Sequence, residues 1–251
     1  MQQLNRPGWI DFPAPDVGWQ LAMDEALLWG AENGLLGESI RIWEAPYLAV
    51  VLGAGGSVAI DVNQEVCTTD NVPIFRRASG GGTVLIGPGC LQFSLILAYE
   101  RHPALREVKS SYDWILTQVA ALLGDTQTIE LQGISDLAVS DRAVARKVKI
   151  SGNAQQRKRH HVLHHGTILY RFPLEAISRY LNAPERQPTY RGNRPHESFL
   201  INHPIEPTDF AEKLRLWWDC RAEAIPPEVE SEAEKLLNEK YSQQEWTFRR
   251  A

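Results

Sequence analysis

Arg76-Arg77-Ala78-Ser79-Gly80-Gly81-Gly82-Thr83-Val84 is the stretch on which the fold turns. A strand carrying two arginines (Pro73–Arg77) runs into three glycines and then into a second strand. Three successive glycines cost folding entropy, so something should require them. One reading is a backbone that approaches a ligand closely, with amide N–H groups aimed at a phosphate or carboxylate. Arg76 and Arg77 would then add charge-assisted bonds to the same anion. The plainer reading, preferred on glycine count alone, is a tight hairpin. The stretch is not a P-loop, because no Gly-Lys-[Ser/Thr] follows, and its glycine spacing is not that of a dinucleotide fingerprint. Gly53-Ala54-Gly55-Gly56 fails that spacing too.

Outward from this stretch the chain alternates strands with a few helices. A helix is expected from about Val17 to Asn33, with Asp16 as N-cap, Gly34 as stop, and Val17, Leu21 and Leu28 on one face. Ile40–Gly53 reads as two strands around a turn at Ala45-Pro46, and Leu91–Ala98 as another strand. Ser110-x-x-Asp113 opens a helix in capping-box style, carried by Ile115, Val119 and Leu122 and stopped by Gly124. Strand-like runs follow at Thr128–Leu131, Ser135–Val139, Val148–Gly152 and His160–Tyr170. Pro173 opens a helix with Leu174, Ile177 and Leu181. The tail is helical in two pieces, Asp209–Trp218 and from Pro226-Pro227 onward. Without a regular βαβ rhythm this is an α+β chain: a mixed, mostly antiparallel sheet flanked by helices.

Composition narrows the class. The 251 residues are 43% hydrophobic and 23% charged, which excludes a disordered chain, a collagen and a coiled coil. They suit one domain, residues 1–251, with a helical tail from about 207. A net charge of −5 lacks the basic footprint of a nucleic-acid binder. No apolar run approaches the roughly 18 residues of a membrane span. The start, MQQLNRPGWIDFP, lacks the order of a signal peptide, so a cytoplasmic location is expected. Cys67, Cys90 and Cys220 form no C-x-x-C pair and are expected to be free thiols.

Two further segments carry chemistry. In a strand, Lys149 and Ser151 share one face, opposite Val148 and Ile150. Lysine is a point charge able to bridge two developing anions, although a lone strand lysine is usually solvent-facing. Arg157-Lys158-Arg159 reads as a solvated turn. The four histidines after it, His160, His161, His164 and His165, alternate between faces and make a poor zinc chelate.

Together these pieces resemble the lipoate–protein ligase A family, which shares its catalytic fold with lipoyl/octanoyl transferases and biotin protein ligases. The first signature is the Arg76–Val84 stretch. The second is Ser135-Asp136-Leu137, then Lys149-Ile150-Ser151-Gly152-Asn153-Ala154-Gln155-Gln156-Arg157, then His164-His165-Gly166-Thr167-Ile168-Leu169. Met23-Asp24-Glu25-Ala26-Leu27-Leu28 supports both. The resemblance implies a fold like the catalytic domain of class II aminoacyl-tRNA synthetases. It implies a ligase that uses Mg-ATP to convert lipoate to lipoyl-adenylate and passes the lipoyl group to a lysine of a carrier domain. The implied carriers are of the glycine cleavage H protein or 2-oxoacid dehydrogenase E2 type.

On that model Lys149 is catalytic, touching the acyl carbonyl and the α-phosphate together. Arg76, Arg77, Ser79, Gly80, Gly81, Gly82 and Thr83 bind acyl group and nucleotide. So do Asp136, Ser151, Gly152, Ala154, His165, Gly166 and Thr167. Asp136 would also help hold magnesium, phosphate or the incoming lysine. ATP, Mg²⁺ and lipoate or octanoate enter as substrates, with no tightly bound cofactor.

The sequence also departs from the family pattern. Ile86 stands where ligases usually place a histidine. Gly53-Ala54-Gly55-Gly56-Ser57 lacks the Arg and Gln of a Gly-Arg-x-Gln-Asn element. No C-terminal accessory domain is expected within the chain, so either a small accessory subunit supplies it or the protein performs only transfer. One alternative is an ATP-independent octanoyl or lipoyl transferase using a cysteine nucleophile, for which Cys90 is the candidate. Another is a catalytically silent lipoate- or carrier-binding homologue. Biotin ligation is not expected, because there is no Gly-Arg-Gly-Arg-x-Gly loop.

Overall fold

The computed structural model describes residues 6–14, 16–124, 129–141 and 146–250. In chain order the elements are β1 (Gly8–Trp9), α1 (Val17–Glu32), β2 (Ser39–Glu44), β3 (Ala49–Leu52), α2 (Val58–Asp61), α3 (Gln64–Thr69), β4 (Ile74–Arg76), β5 (Val84–Ile86) and β6 (Cys90–Ala98). The second half holds α4 (Val108–Leu123), β7 (Ile129–Gln132), β8 (Asp136–Asp141), β9 (Arg146–Arg157), β10 (His161–Leu169), α5 (Leu174–Tyr180), α6 (His196–Phe199), α7 (Pro207–Trp217), β11 (Arg221–Ala222), α8 (Pro227–Leu236) and α9 (Gln244–Thr247). Thr128, expected to open a strand, lies outside the described residues.

Eight strands form one sheet in the order β11-β1-β2-β6-β10-β9-β8-β7. Only the pairings of β1 are parallel, so the expected mixed, mostly antiparallel α+β architecture is what forms. A second sheet, β4-β3-β5, was not anticipated. β2 and β3, expected as strands around one turn, belong to different sheets. The glycine stretch is not a simple hairpin either: β4 and β5 never pair, because both flank β3, one parallel and one antiparallel.

The central strand β6 is buried on both faces, as its near-continuous apolar run dictates. One face of the large sheet packs on α4 and α7 through Phe93, Leu95, Ile115, Leu116, Val119, Phe210 and Leu214. The other face meets α1 and the small sheet. Helix α1 is capped as expected: Asp16 Oδ1 accepts from Gly18 N (2.6 Å) and Trp19 N (3.3 Å). It is not amphipathic, however. Val17 and Leu21 pack toward the small sheet, while Met23, Leu27 and Leu28 pack against Val229 and Ala233 of α8. The helical tail covers the side that a single apolar stripe would leave wet, so α1 is apolar nearly all round. Helix α4 starts earlier than expected, at Val108, with Glu107 as its N-cap. A 3₁₀ turn at Pro103–Arg106 leads into it, and Ser110, already inside the helix, donates to Ala104 O (2.8 Å) rather than capping.

Candidate active site

Between the large sheet, α1 and the small sheet lies a narrow recess of about 160 Å³. It opens into a cavity of about 900 Å³ walled by residues 182–200. Lys149, Asp136, Thr83, Gly82, Gly152 and Thr167 border both spaces, so they form the neck between them.

Lys149 enters this neck from β9. Its Nζ lies 2.7 Å from Asp136 Oδ1, and its side chain is 24% exposed, so it is reachable from the cavity. A β-bulge opposite Leu137 and Ala138 offsets the two strands where the pair forms. A Cβ on Gly152 would sit 2.7 Å from Lys149 Nζ and push the ammonium aside. Tyr190 donates to the other Asp136 oxygen at 2.9 Å. Burial first, then the adjacent Asp136 charge, push the Tyr190 phenol far above its usual range, so it stays a donor. Asp136, expected to help hold magnesium, phosphate or the incoming lysine, here has one oxygen ion-paired to Lys149 and the other hydrogen-bonded to Tyr190. Among the described residues no group of three or more His, Cys, Asp or Glu is placed to hold a metal.

The recess floor is a row of side chains across three strands. Arg41, Ser94 and His165 are register partners on β2, β6 and β10, and Trp43, Gln92 and Thr167 form the next row on the same face. Asp24 of α1 lies across the first row. It accepts from Arg41 Nη1 (2.9 Å), Ser94 Oγ (2.8 Å) and His165 Nδ1 (3.4 Å). Burial alone would raise the Asp24 pKa, but Arg41 and the donors from His165 and Ser94 outweigh it and hold the carboxyl below its usual range. Leu21, Trp43, Val51, Val84 and Ile86 supply the apolar wall. Ile86 thus contributes hydrocarbon where the family pattern has a histidine.

On the far side of His165 its Nε2 accepts a hydrogen bond from Ser79 Oγ at 2.5 Å, and Arg77 Nε donates to the same oxygen at 3.0 Å. The order hydroxyl, imidazole, carboxylate is that of a hydrolase triad. Ser79, however, faces neither cavity and is 2% exposed. It is therefore a positioning group that couples the glycine loop to His165.

The two arginines part company, as neighbours on a strand must. Arg77 lines the recess, but its guanidinium donates to Val51 O (3.2 Å), Gly80 O (2.6 Å) and Gly82 O (2.9 Å). Burial lowers its pKa to about 10, and the three carbonyls hold the loop around it. Arg76 points the other way and corrects the expectation of an anion contact. It is fully buried and donates to Gly53 O (3.0 Å), Gly56 O (2.7 Å) and Thr247 O (2.9 Å), tying the C-terminal segment to the 53–56 loop. Gly81 closes this seam with φ +87°, and a Cβ on Gly53 would meet its carbonyl oxygen at 2.0 Å.

Of the expected residues, Arg77, Gly81, Gly82, Thr83, Asp136, Lys149, Gly152, Ala154, His165, Gly166 and Thr167 line the recess, and Ser151 lines the wide cavity. Arg76, Ser79 and Gly80 line neither. Cys90 does not either: it is fully buried, burial drives its thiol far up, and its sulfur lies 3.3 Å from the Gln92 amide, so it is no nucleophile as it stands. The four histidines diverge, with His160 and His161 amides on Glu32 and His164 buried. Sequence reasoning missed Asp24, Trp43, Gln92 and Ser94 in the recess and Tyr190, Arg191 and His196 in the wide cavity. The signal for one pair was present: Gln92 and Ser94 are polar residues two apart in an otherwise apolar strand.

The sequence pattern of the lipoyl protein ligase A/B catalytic domain matches residues 16–202, three quarters of the chain. The chain belongs to this family. Among curated relatives, the "Probable lipoate-protein ligase A" of Mycoplasma pneumoniae is 27% identical over 182 residues, 72% of this chain and 50% of that protein. The chain thus spans about half the length of that relative. "Octanoyltransferase LipM" of Halalkalibacterium halodurans is 24% identical over 276 residues, 96% of this chain and 98% of that one. The fold matches the bi-partite lipoate protein ligase of Thermoplasma acidophilum, from an archaeal lipoylation system studied with its E2 lipoyl domain. That match has a TM-score of 0.80 and 19% identity, over 97% of this chain and 96% of that one. A lipoate-protein ligase A bound with ATP superposes with a TM-score of 0.78 and 19% identity, over 97% and 99%.

Proposed function

We propose that this family member is a lipoate–protein ligase. It activates lipoate with Mg-ATP to lipoyl-adenylate and transfers the lipoyl group to a lysine of a lipoyl-type carrier domain. The observation that carries the reading is Lys149 at the neck between an apolar recess and a wide polar cavity. The acyl chain would occupy the recess with its carboxylate at Lys149. The nucleotide would occupy the wide cavity, where Arg186, Arg191 and His196 stand. Arg191 is buried in its wall and would supply positive charge to the phosphates.

The chemistry then has two steps. A carboxylate oxygen attacks the α-phosphorus, forming the mixed anhydride and expelling pyrophosphate. The carrier amine next attacks the acyl carbon, forming the amide and expelling AMP, and the amine proton leaves to solvent or a carboxylate. Lys149 lies within reach of both the acyl oxygen and the phosphate and offsets negative charge in each step. Asp136 orients Lys149. Magnesium enters with the nucleotide as part of the substrate. By analogy with the bi-partite Thermoplasma ligase, a separate accessory subunit would complete the activation step. The carrier would be of the E2 or glycine cleavage H protein type.

Octanoyl transfer between carriers is a second reading, favoured by the near full-length match to an octanoyltransferase. Against it, neither Cys67, Cys90 nor Cys220 lines the recess or the wide cavity. Intact-mass measurement of a carrier domain incubated with this protein, lipoate and Mg-ATP decides between them. An ATP-dependent gain of one lipoyl group is expected. A gain only from an acyl-carrier donor, without ATP, would replace the ligase reading with the transferase.

A further inference from the structure

Residues 240–250 lie outside the stretch that the family pattern matches, and they border neither the recess nor the wide cavity. They nevertheless hold the loop on which the glycine stretch rests. Arg249 Nη2 donates to Ala54 O (2.6 Å), Arg250 Nη1 donates to Gly55 O (3.2 Å), and Val58 N donates to Arg250 O (3.2 Å). One step further in, Trp246 Nε1 donates to Arg76 O (2.8 Å), and Arg76 Nε donates back to Thr247 O (2.9 Å). The segment is anchored on α1 as well. Glu25, the residue after Asp24, accepts from Lys240 Nζ (2.7 Å) and Tyr241 Oη (2.6 Å). The Trp246 ring carries the Lys240 ammonium at 4.3 Å and the Arg249 guanidinium at 3.9 Å, which joins the two anchors.

The loop passes this support on to the site. Ala54 N donates to Ser79 O at 2.8 Å, and Gly53 lies against the Gly81 carbonyl. Asp61, whose amide is bonded to Ser57 O at 2.9 Å, accepts from Thr83 Oγ1 at 2.8 Å. Ser79, Gly81 and Thr83 therefore all rest on residues 53–61. Neither Gly53-Ala54-Gly55-Gly56 nor Gly80-Gly81-Gly82 has side chains with which to hold itself in place. Glycine has the widest backbone freedom, so the position of such stretches is set by what bonds to their amides and carbonyls. Arg77 bonds to two carbonyls of the second stretch. For Ala54 and Gly55 of the first, the close donors are Arg249 and Arg250.

We propose that residues 240–250 are a positioning segment for the active site, setting where the glycine stretch stands beside Lys149. The inference rests on the reading of this site as the place of acyl transfer. Arg249 and Arg250 touch no reacting group and act only through the 53–61 loop. Both are exposed, so removing their guanidinium groups loosens the loop without opening the core.

The test is Arg249→Ala combined with Arg250→Ala in the full chain. Amide exchange is followed by NMR, and turnover by the mass gain of an E2 lipoyl domain. Two acyl sources are used, lipoate with Mg-ATP and an octanoyl-carrier donor. Exchange at Ala54, whose amide is bonded to Ser79 O, should quicken about tenfold, the factor that losing about one hydrogen bond allows. Turnover should fall about tenfold, while amides of β6 and β10 keep their rates and the unfolding midpoint barely moves. Arg249→Lys with Arg250→Lys keeps a donor at each position and should recover part of both losses. Unchanged exchange at Ala54 overturns the proposal. So does faster exchange with unchanged turnover. Exchange that quickens equally through the sheet overturns it too, since the segment would then only stabilise the fold. A native chain that acylates the domain from neither source overturns the ligase reading instead, and the Ala54 result still decides whether the segment holds the glycine stretch.

Discussion

On the recess side of Lys149, strands and one helix link polar side chains into one chain of hydrogen bonds: Arg77 on Ser79, Ser79 on His165, and His165, Ser94 and Arg41 all on Asp24. On the other side the wall is the irregular run 182–200, which carries only a three-residue 3₁₀ turn and the four-residue α6. Its Arg191 keeps an unpaired nitrogen. The difference teaches how the labour divides on the proposed function. Strands fix the shape that reads the acyl chain, while the irregular side is free to adjust to a nucleotide and then to a carrier lysine.

The hardest test of that division is Asp24→Ala. It strips the fully buried Arg41 of its carboxylate, and loss of one member of a buried pair costs about 3–5 kcal/mol. Urea denaturation should show that loss, and Asp24→Leu combined with Arg41→Leu should recover part of it. A loss below about 1 kcal/mol would mean that the recess floor is not the rigid element described. Next in size is Lys149→Ala. Turnover, followed by carrier mass, should fall about 100- to 1,000-fold with little change in unfolding midpoint, because Lys149 is partly exposed and its ammonium pairs with Asp136 at the neck. Undiminished turnover would remove Lys149 from the centre of the site.

Two smaller effects separate the sides. Arg191→Ala should raise the KM for ATP about tenfold while leaving acid binding in the recess unmoved. Gly152→Ala should act at the neck, lowering turnover about tenfold by displacing the ammonium, with stability changed by no more than about 1 kcal/mol. If Arg191→Ala weakened acid binding as much as ATP use, the two spaces would not be independent subsites.

The half of the site nearest Lys149 was legible because its residues are contiguous in sequence. Gly81–Thr83, Lys149–Ala154 and His165–Thr167 each arrive as a short run on one strand or loop. The recess floor was not, since Asp24, Arg41, Trp43 and Gln92 come from three elements and meet only through register and the lie of α1. Arg76 was misread for a different reason. Charge and adjacency to Arg77 suggested a shared anion, but successive residues of an extended chain face opposite ways, and Arg76 donates to buried carbonyls at Gly53 and Thr247 instead. Likewise, the fold class followed from the strand pattern, whereas the second sheet did not, because nothing local says that β3 will leave its neighbour β2 to pair with β4 and β5.

The smallest expected effect concerns acid and again divides the two sides. His164 is fully buried on the strand side, with Gln155 Nε2 at 3.1 Å from its Nδ1 and Asn153 Oδ1 at 3.3 Å from its Nε2. That arrangement suits the neutral ring: the glutamine amide donates to Nδ1, and Nε2–H donates to asparagine. Burial, and then neighbouring His165, lower its pKa from 6.5 to about 3. His196, on the irregular side, is lowered to about 4 by burial and Arg191. In both cases the unfolded chain takes the proton first. Stability is therefore complete above about pH 6.5 and falls as pH drops toward the folded values, by at most about 1.4 kcal/mol per pH unit per site. Asp24 acts in the same direction but only below its usual range, so its contribution is lost at lower pH. Because His164 sits in the sheet, its share belongs to global unfolding, whereas a segment such as 182–200 can open locally and relieve His196 first. Denaturation between about pH 7 and about pH 5 should then show a slope that His164→Gln flattens and His196→Asn leaves nearly intact. The reverse ranking would place the stable part of the molecule on the irregular side of Lys149, and the division of labour drawn above would have to be exchanged.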